Sequence, residues 1–137
     1  VGSSLVDPAI GEAGDEDTAA VTLTTARGAI CQISNSRRAT YGYDQRIEVH
    51  GEKGMLRAQN QLEATVEFAT SEGFSTAPAQ NFFLERYERA YAAEMKSFVS
   101  ALKQGEPPHP TIYDGLKAQL LSDAAAESLA SGKPVKV

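Results

Sequence analysis

The sequence predicts an α+β domain: a mostly antiparallel open sheet of about five or six strands, with two long C-terminal helices on one face. Two observations carry this prediction. Before residue 82 the apolar residues alternate in short runs separated by glycine-containing turns, and beyond it they recur three or four apart. Strands that come first and helices that follow suit an antiparallel sheet better than a series of βαβ crossovers. The length of 137 residues adds a third constraint, since it suits one domain able to bury a core.

Taken in order, Leu5-Val6 reads as a short strand closed by Asp7-Pro8, and Gly11, Glu12, Gly14, Asp15, Glu16 and Asp17 read as a solvated loop. Ala19, Val21, Leu23 and Thr25 share one face of a strand. Ala26-Arg27-Gly28 turns the chain, and the return strand runs from Ala29 to about Asn35. A strand from Gln45 to His50 puts Ile47 and Val49 inward and Arg46, Glu48 and His50 on its other face. Gly51 to Gly54 is a tight turn before a strand ending at Ala58, and Ala64, Val66 and Phe68 alternate before a further turn at Ser71-Glu72-Gly73. Phe83, Tyr87, Ala90, Tyr91, Met95, Phe98 and Leu102 then define one stripe of a helix of about five turns, stopped by Gly105 and Pro107-Pro108. Thr111 and Asp114 form a capping-box pattern for a second helix, which carries Leu116, Leu120, Ala124 and Ser128 and ends at Gly132. Pro134 to Val137 reads as a last short strand.

Composition excludes several classes of function. At a formal charge of −5 with no dense basic stripe, the chain is unsuited to a nucleic-acid backbone. No run of eighteen apolar residues offers a membrane span, and the first residues lack the pattern of a signal peptide. Cys31 is the single cysteine, so it forms no internal disulfide and no metal cluster, which points to the cytoplasm; between Ile30 and Ile33 it reads as a small buried hydrophobe. The glycines form no Gly-x-Gly-x-x-Gly turn, and neither a Gly-x-Ser-x-Gly elbow nor a His-Glu-x-x-His helix is present. His50 and His109 each stand alone and read as surface histidines. The long-helix aromatics read as core, and Arg86 as part of an exposed charged face.

The segment Asn35 to Asp44 departs from this plain picture. It joins two apolar strands, yet it holds Arg37, Arg38, Tyr41, Tyr43, Asp44 and Asn35 within ten residues. Tyrosine hydroxyls and rings suit a polyol, and Arg with Asp can bracket vicinal hydroxyls by charge-assisted hydrogen bonds. Gly42 frees the backbone between Tyr41 and Tyr43. The same composition also suits a long hairpin loop whose tyrosines pack on the sheet edge.

The run from Ile33 through Tyr41-Gly42-Tyr43-Asp44 to Gly51 resembles the C-terminal domain of the glucose-fructose oxidoreductase/inositol dehydrogenase/rhizopine catabolism family, in its inositol branch. Val6-Asp7-Pro8, the segment Phe82 to Tyr91 and Tyr113-Asp114-Gly115-Leu116 agree with it, so the resemblance covers nearly the whole chain. It implies a parent oxidoreductase that takes a hydride from a secondary alcohol of a cyclic polyol such as myo-inositol, with NAD or NADP as cofactor. In that family a preceding Rossmann domain holds the cofactor, and a Glu-Lys-Pro lysine with an Asp-x-x-x-His pair acts on the substrate. Glu52-Lys53-Gly54 lacks the proline, and the positions four before His50 and His109 are Arg46 and Gly105, so no catalytic residue is assigned to this chain. The resemblance carries Tyr43 over as the substrate-facing tyrosine, with Tyr41, Asp44 and Arg38 following from proximity.

Residues 1–137 are therefore expected to form a partial C-terminal domain, without the Rossmann domain or the catalytic helix, and without a cofactor or metal site. It would shape the substrate pocket, assemble a homo-oligomer through its sheet face, and lack activity alone. The alternatives are a stand-alone interaction module without catalysis, and a member of the same family acting on another polyol or sugar.

Overall fold

The structure, a computed structural model, describes all residues 1–137. The chain divides into two compact units, Val1–Arg38 with Ala101–Val137, and Ala39–Ser100.

In the first unit, β1 (Gly2–Ser3), β2 (Thr18–Thr24) and β3 (Ile30–Ser36) form an antiparallel sheet in that order. Ala19 sits opposite both Gly2 and Asn35, and the β2–β3 register runs to Thr24 opposite Ile30. The turn between them closes as expected: Gly28, at φ 85°, donates its N–H to Thr25 O at 2.9 Å. The alternation is preserved on β2, where Ala19, Val21 and Leu23 are partly shielded and Ala20 and Thr22 are exposed. On β3 every residue is exposed, including Cys31, because no layer covers the faces of this strand. The expected burial of Cys31 is thus corrected.

Further corrections concern the N-terminal segment. Leu5-Val6 is not a strand, and the acidic stretch is not simply a loop, because Pro8–Glu12 forms a short helix, α1. Proline near a helix start loses no intrahelical bond, so Pro8 suits this position. Asp17 is the one buried side chain, at 1% exposure. Its carboxylate accepts hydrogen bonds from Thr18 Oγ1 and the Asp7 N–H, both at 2.6 Å, and these donors replace the lost water. The Thr18 hydrogen bond, with backbone donors added and desolvation opposing, holds its pKa below the usual carboxylate value.

The last helix of this unit, α3 (Ile112–Ser131), begins at a complete capping box: Asp114 Oδ2 accepts the Thr111 N–H at 2.9 Å and its hydroxyl at 2.8 Å. It ends at Gly132 in the left-handed conformation, φ 67°. Beyond that cap Pro134–Val137 forms no strand; proline offers no donor to a ladder, and no strand pairs with this segment.

The second unit contains two hairpins, β4 (Ile47–Gly51) with β5 (Gly54–Ala58), and β6 (Glu67–Thr70) with β7 (Gly73–Thr76). Both turns fall where the glycines place them. The pairing is nevertheless divided among separate sheets rather than one continuous meander. Ile47 and Val49 are 57% and 54% exposed, since a two-stranded ribbon has no further layer on its face. The helix α2 (Phe83–Gln104) starts and stops close to its predicted limits. Phe83 and Tyr87 are partly shielded, whereas Tyr91, Met95, Phe98 and Leu102 are exposed. The architecture is α+β with antiparallel pairing and two long C-terminal helices, as the change of period indicated. The apolar faces it presents are largely bare, and no apolar side chain is fully buried.

Candidate functional site

The site develops in the second unit from an extension of the β6–β7 hairpin. Beyond the ladder, Leu62 bridges Ala79, Glu63 N–H donates to Pro78 O at 2.9 Å, and Gln80 N–H donates to Gln61 O at 3.1 Å. The tyrosine segment docks on this extension: Tyr43 N–H donates to Gln80 O at 2.8 Å. Gly42 makes the approach possible. It adopts φ 121°, and a Cβ at this position would lie 2.9 Å from Gln80 O and 3.0 Å from Ala79 O.

The two tyrosines diverge across this contact. The Tyr41 hydroxyl donates to Asp44 Oδ2 at 2.5 Å, and Arg46 grips the same carboxylate with Nε to Oδ1 at 2.9 Å and Nη2 to Oδ2 at 2.8 Å. This fork-to-carboxylate geometry is directional and charge-assisted. Asp44 is the shielded member, with 14% of its side chain exposed. The hydrogen bond from Tyr41, and then Arg46, holds its carboxyl below the usual range despite desolvation. Reciprocally, the bond to Asp44 pushes the Tyr41 phenol above the ordinary tyrosine value, and the Arg46 guanidinium upward as well. Tyr41, Asp44 and Arg46 line an open depression of about 730 Å³, together with Gln59, Asn60 and the Thr76–Ala79 segment.

Tyr43 lies among a different set of residues. Its ring meets Tyr87 of α2 edge-on, with centroids 5.5 Å apart at 78°, and the two hydroxyls are 3.5 Å apart. Tyr87 in turn donates to Gln45 Oε1 at 2.9 Å, and the Arg86 guanidinium lies 5.5 Å from the Tyr87 ring centroid. The Tyr43 contact, followed by burial, raises the Tyr87 phenol. The structure therefore brings Tyr41 and Asp44 together and sets Tyr43 against α2. It leaves Arg38 in the first unit, where its Nε donates to Asp7 Oδ2 at 2.6 Å and its Nη2 reaches the same oxygen. Sequence reasoning assigned no role to Arg46, Gln45 or Tyr87. The sequence places Arg46 on the polar face of a strand from Gln45, but β4 begins at Ile47, and Arg46 before it pairs with Asp44. The pairing of Tyr87 with Gln45 spans 42 residues and had no local signal.

Residues 3–137 match the family described as the oxidoreductase family, C-terminal alpha/beta domain. The chain belongs to this family. Among its relatives, an inositol 2-dehydrogenase of Rhizobium meliloti (strain 1021) is 50% identical over 133 residues, a stretch comprising 97% of this chain and 40% of that protein. The crystal structure of a myo-inositol dehydrogenase from Corynebacterium glutamicum superposes with a TM-score of 0.92 at 40% identity, covering 97% of this chain and 40% of that one. A myo-inositol dehydrogenase from Lactobacillus casei, solved in complex with NAD(H) and myo-inositol, superposes with a TM-score of 0.76 at 28% identity over 90% of this chain and 37% of that one. The chain thus spans about 40% of the length of its curated relative.

A dinucleotide cradle needs backbone N–H groups free at a helix N-terminus behind a glycine-rich turn. Gly28, Gly54 and Gly73 occupy hairpin turns, and Gly105 and Gly132 follow helix ends. The start of α3 is capped by its own Thr111 and Asp114. No helix is long and apolar enough to cross a membrane.

Proposed function

We propose that this chain is the substrate-side, C-terminal part of a cytoplasmic NAD(P)-dependent oxidoreductase that converts a secondary alcohol of myo-inositol, or a related cyclic polyol, to a ketone. The alcohol carbon gives a hydride to the nicotinamide and its hydroxyl proton to a base, with cofactor and base supplied by residues outside these 137. The observation that carries the reading is the Tyr41-Gly42-Tyr43-Asp44 segment, which displays hydroxyl, carboxylate and guanidinium groups around an open depression in a chain 50% identical to an inositol 2-dehydrogenase. Tyr43 is the principal substrate contact. Tyr41 and Asp44, held by Arg46, form a polar wall of the depression. Arg38, already paired with Asp7, secures the segment preceding the loop.

The exposed alternating faces of β3 and β4 support a second role, assembly of a homo-oligomer through the sheet. The deciding assay follows reduced-nicotinamide absorbance in the full-length protein with NAD or NADP and myo-inositol, scyllo-inositol or an aldose. Turnover on a cyclic polyol is the expected result. Inactivity on all of them, with the protein folded, would refute the reading and favour a non-catalytic interaction module.

A further inference from the structure

The hydroxyl of Tyr87 has one proton, and that proton is committed to Gln45 Oε1 at 2.9 Å. Toward Tyr43 it can therefore only accept. The Tyr43 hydroxyl faces it at 3.5 Å, so the direction of this contact runs from Tyr43 to Tyr87 to Gln45. At that length the bond is weak, and the edge-on ring contact at 5.5 Å supplies the rest of the restraint. Both ends of the relay are anchored. Gln45 N–H donates to Asn60 Oδ1 at 3.3 Å, Tyr43 N–H donates to Gln80 O at 2.8 Å, and the Arg86 guanidinium lies by the Tyr87 ring on α2. A Tyr43 phenol whose proton points at Tyr87 presents only lone pairs elsewhere.

We propose that Tyr87, oriented by Gln45, is a positioning residue that fixes Tyr43 as a hydrogen-bond acceptor for a hydroxyl donated by the polyol. The inference rests on the substrate reading above. It makes Tyr43 selective for a hydroxyl with a proton to give, over a carbonyl or ether oxygen at the same position.

The test is a double-mutant cycle in the full-length protein, measured with myo-inositol and NAD. Tyr87→Phe is expected to raise KM for the polyol about tenfold, the effect of losing one hydrogen-bonding restraint. The KM for NAD should stay unchanged and kcat should move far less. In a Tyr43→Phe background the same substitution should have little further effect, because the group it positions is gone. Gln45→Leu should reproduce the Tyr87→Phe defect, and Gln45→Glu, which keeps an acceptor for the Tyr87 proton, should recover a large part of it. If Tyr87→Phe does not fold, the Gln45 pair decides the question. Full additivity with Tyr43→Phe, or a Gln45→Glu variant no better than Gln45→Leu, overturns the proposal. A folded wild-type protein inactive on every polyol instead refutes the functional reading, and that result is distinguishable from additivity in an active enzyme.

Discussion

Replacing Gly42 with alanine probes how the two tyrosines are held apart, and Gly28 supplies an internal control. Both glycines have positive φ, 121° and 85°, so alanine at either position is strained. A single L-residue forced into such backbone costs about 1–2 kcal/mol. At Gly28 nothing lies within 4 Å of the new methyl, so the penalty ends there. At Gly42 the methyl would meet Gln80 O at 2.9 Å, Ala79 O at 3.0 Å and Ala79 Cβ at 3.1 Å. Those oxygens are backbone, and Gln80 O already accepts the Tyr43 N–H at 2.8 Å. Displacing it sacrifices that hydrogen bond, about 1 kcal/mol, and local overpacking adds about 1 kcal/mol more. Gly42→Ala should therefore destabilise by about 3–4 kcal/mol against about 1–2 for Gly28→Ala. Urea unfolding of the full-length protein, with the m-value checked for constancy, measures both. Gly42→Ala should also raise KM for the polyol, whereas Gly28→Ala should not. Equal destabilisation by the two substitutions would refute the claim that Gly42 is required for close approach as well as for its conformation.

Two other outcomes follow from the first unit and from the bare sheet faces. Because Asp17 has a folded-state pKa below its unfolded value, the unfolded chain takes up a proton first as pH falls, and the group's contribution is lost on acidification. Asp17→Asn should accordingly lower stability at neutral pH and flatten its decline through the acidic range, as read by denaturant midpoints over a pH series; an unchanged slope would count against the role of this carboxylate. Residues 1–137 expressed alone should self-associate in light scattering, since Ile30, Ile47, Val49 and Leu56 are all at least half exposed; a monomer at high concentration would oppose that.

What the sequence made legible is what neighbouring residues decide. The hairpin turns at Gly28, Gly54 and Gly73 and the Thr111, Asp114 and Gly132 caps of α3 depend on side chains a few positions apart, and each was readable. The change of period near residue 82 gave the long helix for the same reason. Alternation also revealed which face of a strand is apolar, but it carries no information on what covers that face. Hence Val21 and Leu23 on β2 are partly shielded, while Ile47 and Val49 on a two-stranded ribbon are open.

The candidate site divides along the same line. Tyr41 and Asp44 lie three positions apart and their grouping was readable from composition, whereas Arg46, two residues further on, was not included in it. Arg38 is equally close in sequence to Tyr41, yet its guanidinium is engaged 31 residues away by Asp7, whose own N–H is held by Asp17. An acidic stretch that reads as solvated loop thus supplies the buried carboxylate, and the Asp7-Pro8 closure before it supplies the partner of an expected ligand-binding arginine. Tyr87 shows the converse case: at helical spacing with Phe83 and Tyr91 it reads as core, and its ring does pack against Tyr43. The phenolic oxygen distinguishes it from an ordinary core aromatic, because a buried hydroxyl must find a partner. That requirement was readable in the sequence, and only the fold could identify the partner as Gln45.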